Sequence, residues 1–267
     1  MDRFDCEGAP RDLGGDQGRA CRSLLRARCG GAWPRLPTRA RDAHLQRALR
    51  DMQRYFPHQH EQLTGMARAA GVSFSKLAAA SVAALCEPAK ALGYSENGRA
   101  CLAVATPTDA VMRDSRAEGR FAARELTRPV LTTALLAVNE SGLAAAVSGE
   151  PRAGACAAPA SLLVRDCVER FDRVAAASDW CMTRPCGTSA TLLLADAAGD
   201  LAAVVIAGDD RRIVLPVGNV LLPDISAASA TDFAKALANA TSHGSLLRET
   251  LGAFTSAHPA DGTLTGS

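Results

Sequence analysis

The chain has 267 residues, 48% of them apolar, 22% charged and 4% aromatic, and its formal net charge is +2. That much apolar content can fill a large core and argues against general disorder. The near-balanced charge gives no reason to expect a nucleic acid or an anionic membrane as partner.

No apolar run approaches the about 18 residues that a membrane span needs. The start Met1-Asp2-Arg3-Phe4-Asp5-Cys6 has no basic stretch followed by an apolar one, so no signal peptide is expected. The nine cysteines, Cys6, Cys21, Cys29, Cys86, Cys101, Cys156, Cys167, Cys181 and Cys186, are scattered and form no CxxC pair. They read as reduced thiols of a cytoplasmic protein, with no metal and no cofactor expected.

In chain order, residues 1–37 are rich in Gly, Pro and Arg and read as irregular, with one short helix near 20–28. Residues 38–55 predict an amphipathic helix that Thr38 can cap, with Leu45, Leu49 and Met52 on one face. Pro57 opens a second helix that Gly71 ends, and Ser73 or Ser75 caps a third through Cys86. From Arg19 to Arg54 arginines are many and acids few. That stretch reads as a solvated helical face, or as a docking surface for an acidic partner or a phosphorylated acyl carrier.

After Gly98 the texture changes. Residues 101–105 predict a buried strand closed by Thr106-Pro107, and residues 109–128 are polar, Arg-rich and without period. Strands follow at 130–138 and 143–147 around the turn Asn139-Glu140-Ser141-Gly142. Residues 158–178 predict a helix with Leu162, Leu163, Cys167, Phe171 and Val174 near one face. A hairpin is expected from 191–195 and 201–207, a further strand at 212–215, and a helix at 230–253. Hairpin-linked strands exclude a purely parallel sheet, and two antiparallel sheets layered between helices fit the order better. No internal repeat is present, and the chain reads as a single α+β domain.

The order of landmarks resembles the acyl-coenzyme A:6-aminopenicillanic acid acyltransferase family, the C45 peptidase-like branch of the N-terminal-nucleophile (Ntn) hydrolases. The residues that carry it are Glu7-Gly8-Ala9-Pro10 with Gly14 and Gly18, then Pro57, Glu61, Gly65 and Gly71-Val72, then Ala100-Cys101-Leu102. Asn139-Glu140-Ser141-Gly142-Leu143, the stretch from Leu162 to Glu169, the stretch from Leu192 to Asp200, Asn219 and Ser245 to Arg248 continue it. The resemblance implies a four-layer αββα sandwich with two stacked antiparallel sheets. In it, 1–100 is the mainly helical N-terminal segment, and 101–255 carries the nucleophile strand, the sheets and the closing helices.

The resemblance also implies a cysteine nucleophile, Cys101, freed by autoproteolysis between Ala100 and Cys101. The new α-amino group serves as base for its own thiol, and the acyl-enzyme passes its acyl group to water or to an amine. The substrate implied is a small acylated amine, a peptide-like molecule or a thioester, with an acyl-CoA or carrier-bound acyl group among the candidates, in natural-product metabolism. Asn219 is the implied oxyanion donor.

The chain departs from the family pattern at Ala100 and Leu102. The acid that orients the amine is replaced by a run in which Asp114 and Glu118 are the available carboxylates. Ser148 stands where an amide donor is expected. Arg113, Arg116 and Arg248 are the cations placed to bind substrate. These departures keep a second reading open, a catalytically impaired scaffold that binds a partner through its Arg-rich face. His58 and His60 lack a third ligand for a metal, His243 is simplest as a cap of the last helix, and GxSxG, P-loop and GxGxxG motifs are absent.

Overall fold

A computed structural model describes residues 1–30, 38–85, 90–96, 99–104, 106–149, 156–187, 189–207, 210–216 and 220–221. Five helices follow a first strand: β1 (Arg3–Gly8), α1 (Pro10–Ala20), α2 (Arg22–Gly30), α3 (Thr38–Tyr55), α4 (Pro57–Ala70) and α5 (Phe74–Leu85). Then come β2 (Ala91–Glu96), β3 (Arg99–Val104), β4 (Val111–Ala117), β5 (Ala123–Thr127), β6 (Leu136–Asn139) and β7 (Ala144–Ser148). The helices α6 (Leu162–Arg170) and α7 (Val174–Thr183) precede β8 (Ala190–Ala195), β9 (Leu201–Ala207), β10 (Asp210–Val214) and β11 (Val220–Leu221).

The fold is mixed α/β, built on one large sheet with helices packed against it. The eight strands run β1-β4-β5-β6-β7-β8-β9-β10, antiparallel throughout except for the parallel β1–β4 pair. A three-stranded antiparallel sheet, β11-β2-β3, rests on one face of it. Ala91, Ala100 and Leu102 pack there against Leu136, Ala146, Leu193, Leu201 and Ala203. The other face meets α1, α6 and α7, with α4 stacked on α1. The closing helix expected at 230–253 lies outside the described residues.

Glycine explains how α1 and α4 approach so closely. A β-carbon on Gly14 would lie 1.9 Å from the Gln62 carbonyl oxygen, one on Gly65 2.1 Å from that of Arg11, and one on Gly18 2.5 Å from that of Met66. The two helices therefore cross backbone against backbone, which the spacing of Gly14, Gly18 and Gly65 alone permits. Gly71, at φ 68°, ends α4 in the left-handed conformation, as its position after the last apolar residue predicts.

Several elements differ from the sequence reading. The supposedly irregular start holds β1 and α1. Residues 109–128 form β4 and β5, whose charged side chains are mostly buried and paired. The strand expected at 130–138 is ordered as β6 only from Leu136. The helix expected at 158–178 breaks at Phe171, whose extended backbone ends α6 before α7 begins.

Candidate functional site

Cys101 lies in β3 between two residues that face the large sheet. Ala100 and Leu102 are buried in the core between the sheets, whereas Cys101 points the opposite way and is exposed. It pairs with Tyr94 of β2. Gly93, one residue along β2, sits over Leu201, where a β-carbon would come within 2.7 Å of a Leu201 methyl. The Ser95 hydroxyl donates to the Gly199 carbonyl in the β8–β9 turn, 3.4 Å away. Cys101 therefore stands toward the end of the large sheet that carries this turn.

The ladder register fixes what else stands at that end. Asp114, Arg124, Val138, Ala144, Ala195 and Leu201 form one row across β4 to β9. Asp114 thus shares a row with Leu201, which lies under Gly93, but five strand spacings, about 24 Å, separate the two along that row. Its carboxylate accepts from Arg124 Nε at 2.7 Å and from Arg3 Nε at 2.8 Å. Arg116 and Glu118 follow it toward the same end, and both are exposed. The turn after β4 is held by the Glu118 N–H donating to the Gly8 carbonyl.

Ser148 belongs to the other end. Its hydroxyl accepts from the Ala91 N–H at 3.2 Å, and Ala91 pairs with Val104, three residues along β3 from Cys101. Three strand residues span about 10 Å, so the register separates Ser148 from Cys101 instead of joining them.

Arg113, expected to meet substrate, is instead completely buried on the helical face. Its guanidinium donates to Glu125, to Gln17 Oε1 at 2.6 Å and to the carbonyls of Leu131 and Thr132 at 3.2 and 3.0 Å. Alternation along β4 makes the correction: Met112 and Asp114 face the small sheet, so Arg113 and Ser115 must face the helices. Asn219 and Arg248 lie outside the described residues.

Sequence reasoning missed the polar cluster around Arg113. Gln17 of α1, fully buried, donates to the carbonyls of Pro129 and Leu131 and accepts from both Arg113 and Gln62. Arg165 of α6 binds Glu169 at 2.5 Å, the Thr132 carbonyl at 2.8 Å and Gln62. Burial pushes the Glu125 carboxyl up, but Arg113 and Arg165 outweigh it and hold the group below its usual range. His58 Nε2 lies 3.5 Å from Asp166 and 3.8 Å from Glu169, and burial nevertheless keeps its pKa below the ordinary value. The signal that could have located this cluster is the two i, i+4 charge pairs Arg165–Glu169 and Asp166–Arg170 on a helix that also carries Leu162, Leu163, Val164 and Val168.

Most of the other described thiols are held in the protonated form. Burial pushes Cys6 up to about 12 and Cys21 and Cys186 up to about 11. Burial also raises Cys29 and Cys156, and a hydrogen bond with Cys181 raises Cys167. Among the described residues, no group of three or more His, Cys, Asp or Glu side chains could hold a metal, and no helix is long and apolar enough to cross a membrane.

No protein-family model matches the chain, and no curated protein matches it. Among solved structures it is similar to penicillin V acylase from Agrobacterium tumefaciens, with 19% identity and a TM-score of 0.38. The match covers 59% of this chain and 58% of the length of that one. A likeness that loose carries no inference about fold or activity.

Proposed function

We propose that the chain is an Ntn-type cysteine amide hydrolase or acyltransferase with Cys101 as its nucleophile. The observation that carries this reading is that Cys101, at the position where the family resemblance puts the nucleophile, is exposed, while six of the other seven described cysteines are buried. A thiol at about 11 holds roughly a hundredfold less thiolate than one at the ordinary value, so Cys21 and Cys186 are weak competitors.

In the proposed self-processing, Cys101 Sγ attacks the Ala100 carbonyl carbon, its proton passes to the Cys101 backbone nitrogen, and the peptide C–N bond breaks. Water then hydrolyses the resulting thioester, leaving an Ala100 carboxylate and a Cys101 α-amine. Such an amine titrates near ~8, so at neutral pH part of it is available to take the thiol proton. The sulfur next attacks the acyl carbonyl of substrate, the leaving amine or thiol departs with that proton, and water or an acceptor amine releases the acyl group. Asp114 and Glu118 are the carboxylates that the resemblance offers to orient the amine. Arg116 is the cation offered for a substrate carboxylate. The roles of oxyanion donor and second cation fall to Asn219 and Arg248.

Intact mass of the purified chain tests this reading. Fragments 1–100 and 101–267, replaced by a single uncut chain in Cys101→Ala, are expected. An uncut chain whose turnover of acylated amines is unchanged in Cys101→Ala would refute it.

One observation favours the second reading, a scaffold that binds through its Arg-rich face. Asp114, the proposed orienting acid, is already held by two arginines. Thiol-directed labelling separates the two: preferential labelling of Cys101 supports the enzyme, and labelling no faster than that of the buried cysteines supports the scaffold.

A further inference from the structure

We propose that Cys167 and Cys181 are a redox pair that closes into a disulfide joining α6 to α7. Their sulfurs stand 3.3 Å apart, in contact, and both residues are fully buried. The two helices pack on each other across the helix interruption at Phe171, and the cysteines meet at that packing. The pair sits on the helical face of the large sheet, which separates it from Cys101, so it does not depend on the activity proposed for Cys101.

Closing the bond brings the sulfurs to about 2.05 Å, a travel of roughly 1.3 Å that small side-chain rotations can supply. The oxidant is a hydroperoxide, and hydrogen peroxide, little larger than water, suits a closed site. One sulfur attacks a peroxide oxygen, the O–O bond breaks, and a sulfenic acid and water result. The second sulfur attacks the sulfenic sulfur and displaces its oxygen as a second water. Two thiols and one peroxide thus become one disulfide and two waters, with the thiols oxidised by two electrons and the peroxide reduced by two. The waiting partner at contact distance intercepts the sulfenic acid before it oxidises further.

The same corner holds a competing thiol. Cys186 is buried and lies near enough to Cys181 and to the half-buried Cys156 for charge on either to affect it. Arg211 of β10 holds Cys186, donating to its sulfur at 3.6 Å, and also donates to the Cys181 carbonyl at 2.5 Å. Cys186 is thus engaged by β10, while Cys181 faces Cys167.

The test treats the full chain with hydrogen peroxide, alkylates the remaining thiols and digests with trypsin without reduction. The expected product is peptide 166–170 joined to peptide 174–211, with fragment-ion sequencing placing the bond at Cys181. Dithiothreitol should abolish it, Cys181→Ala should lose it and Cys186→Ala should keep it. The oxidised chain should melt roughly 5–10 °C higher than the reduced one. Recovery of peptide 166–170 in alkylated form, while Cys101 has been oxidised, overturns the proposal. So does a bond that sequencing places at Cys186.

Discussion

Gly14 and Gln17 lie one turn apart on α1 and do opposite work: one removes a side chain so that α4 can come close, the other fills the space beside that crossing with hydrogen bonds. Gly14→Ala places a methyl group against the Gln62 carbonyl, and backbone cannot give way as a flexible side chain can. A loss of about 3 kcal/mol in unfolding free energy is expected, read as a lower denaturant midpoint with an unchanged slope. An unchanged midpoint would remove the close crossing from the account. Arg113 and Glu125, both fully buried, give a sharper case. Arg113→Met alone strands a buried carboxylate and should cost roughly 3–5 kcal/mol, whereas Arg113→Met with Glu125→Leu should cost clearly less. Glu125 is held below its usual range, so its ion pair contributes fully above about pH 4.5 and fades as pH falls through the lower folded value.

At the scale of elements, the junction of α4 with α6 is pH-sensitive through His58. Asp166, Glu169, Arg165 and Arg170 all act on it, and Arg184 lies 4.0 Å from Asp166 in the same cluster. The folded-state pKa is depressed below 6.5, so the unfolded chain binds the proton more readily. Stability is therefore full above that value and falls as pH drops through the window below it. Thermal melts of the wild type should decline across that window, and His58→Asn should flatten the decline; identical slopes would assign the loss to other groups. The helices were legible in the sequence because their ends carry chemistry. Pro57 and Gly71 bound α4 as expected, and Thr38 begins α3. The strands β4 and β5 were not legible because their buried face carries Arg113, Ser115 and Glu125, and a charged residue at an inward position erases the alternation that marks a strand. The break between α6 and α7 was hidden because its cause is distant. Asn139 of β6 donates its side-chain amide to the carbonyls of Val168 and Phe171, satisfying groups that a continuous helix would have bonded internally.

For the whole molecule, the described layers leave two kinds of chemistry on opposite faces of one sheet. The helical face buries a charged network and the contacting thiols Cys167 and Cys181. The small sheet turns Cys101 outward, away from the large sheet. Of the candidate site, the strand of Cys101 was readable from its short apolar run and its place in the order of landmarks. The partners were not, because strand register decides which side chains share an end, and register depends on pairings made far along the chain. Ser148 shows the consequence, standing some 10 Å along the strand direction from the thiol it was expected to serve. The function proposed for Cys101 requires its thiol to accept an acyl group. Incubating the chain with an activated phenylacetyl ester and sequencing its peptides tests this directly. An acyl adduct on Cys101 that hydroxylamine releases is expected, and an acyl group found only on other cysteines, or on none, would overturn that role for Cys101.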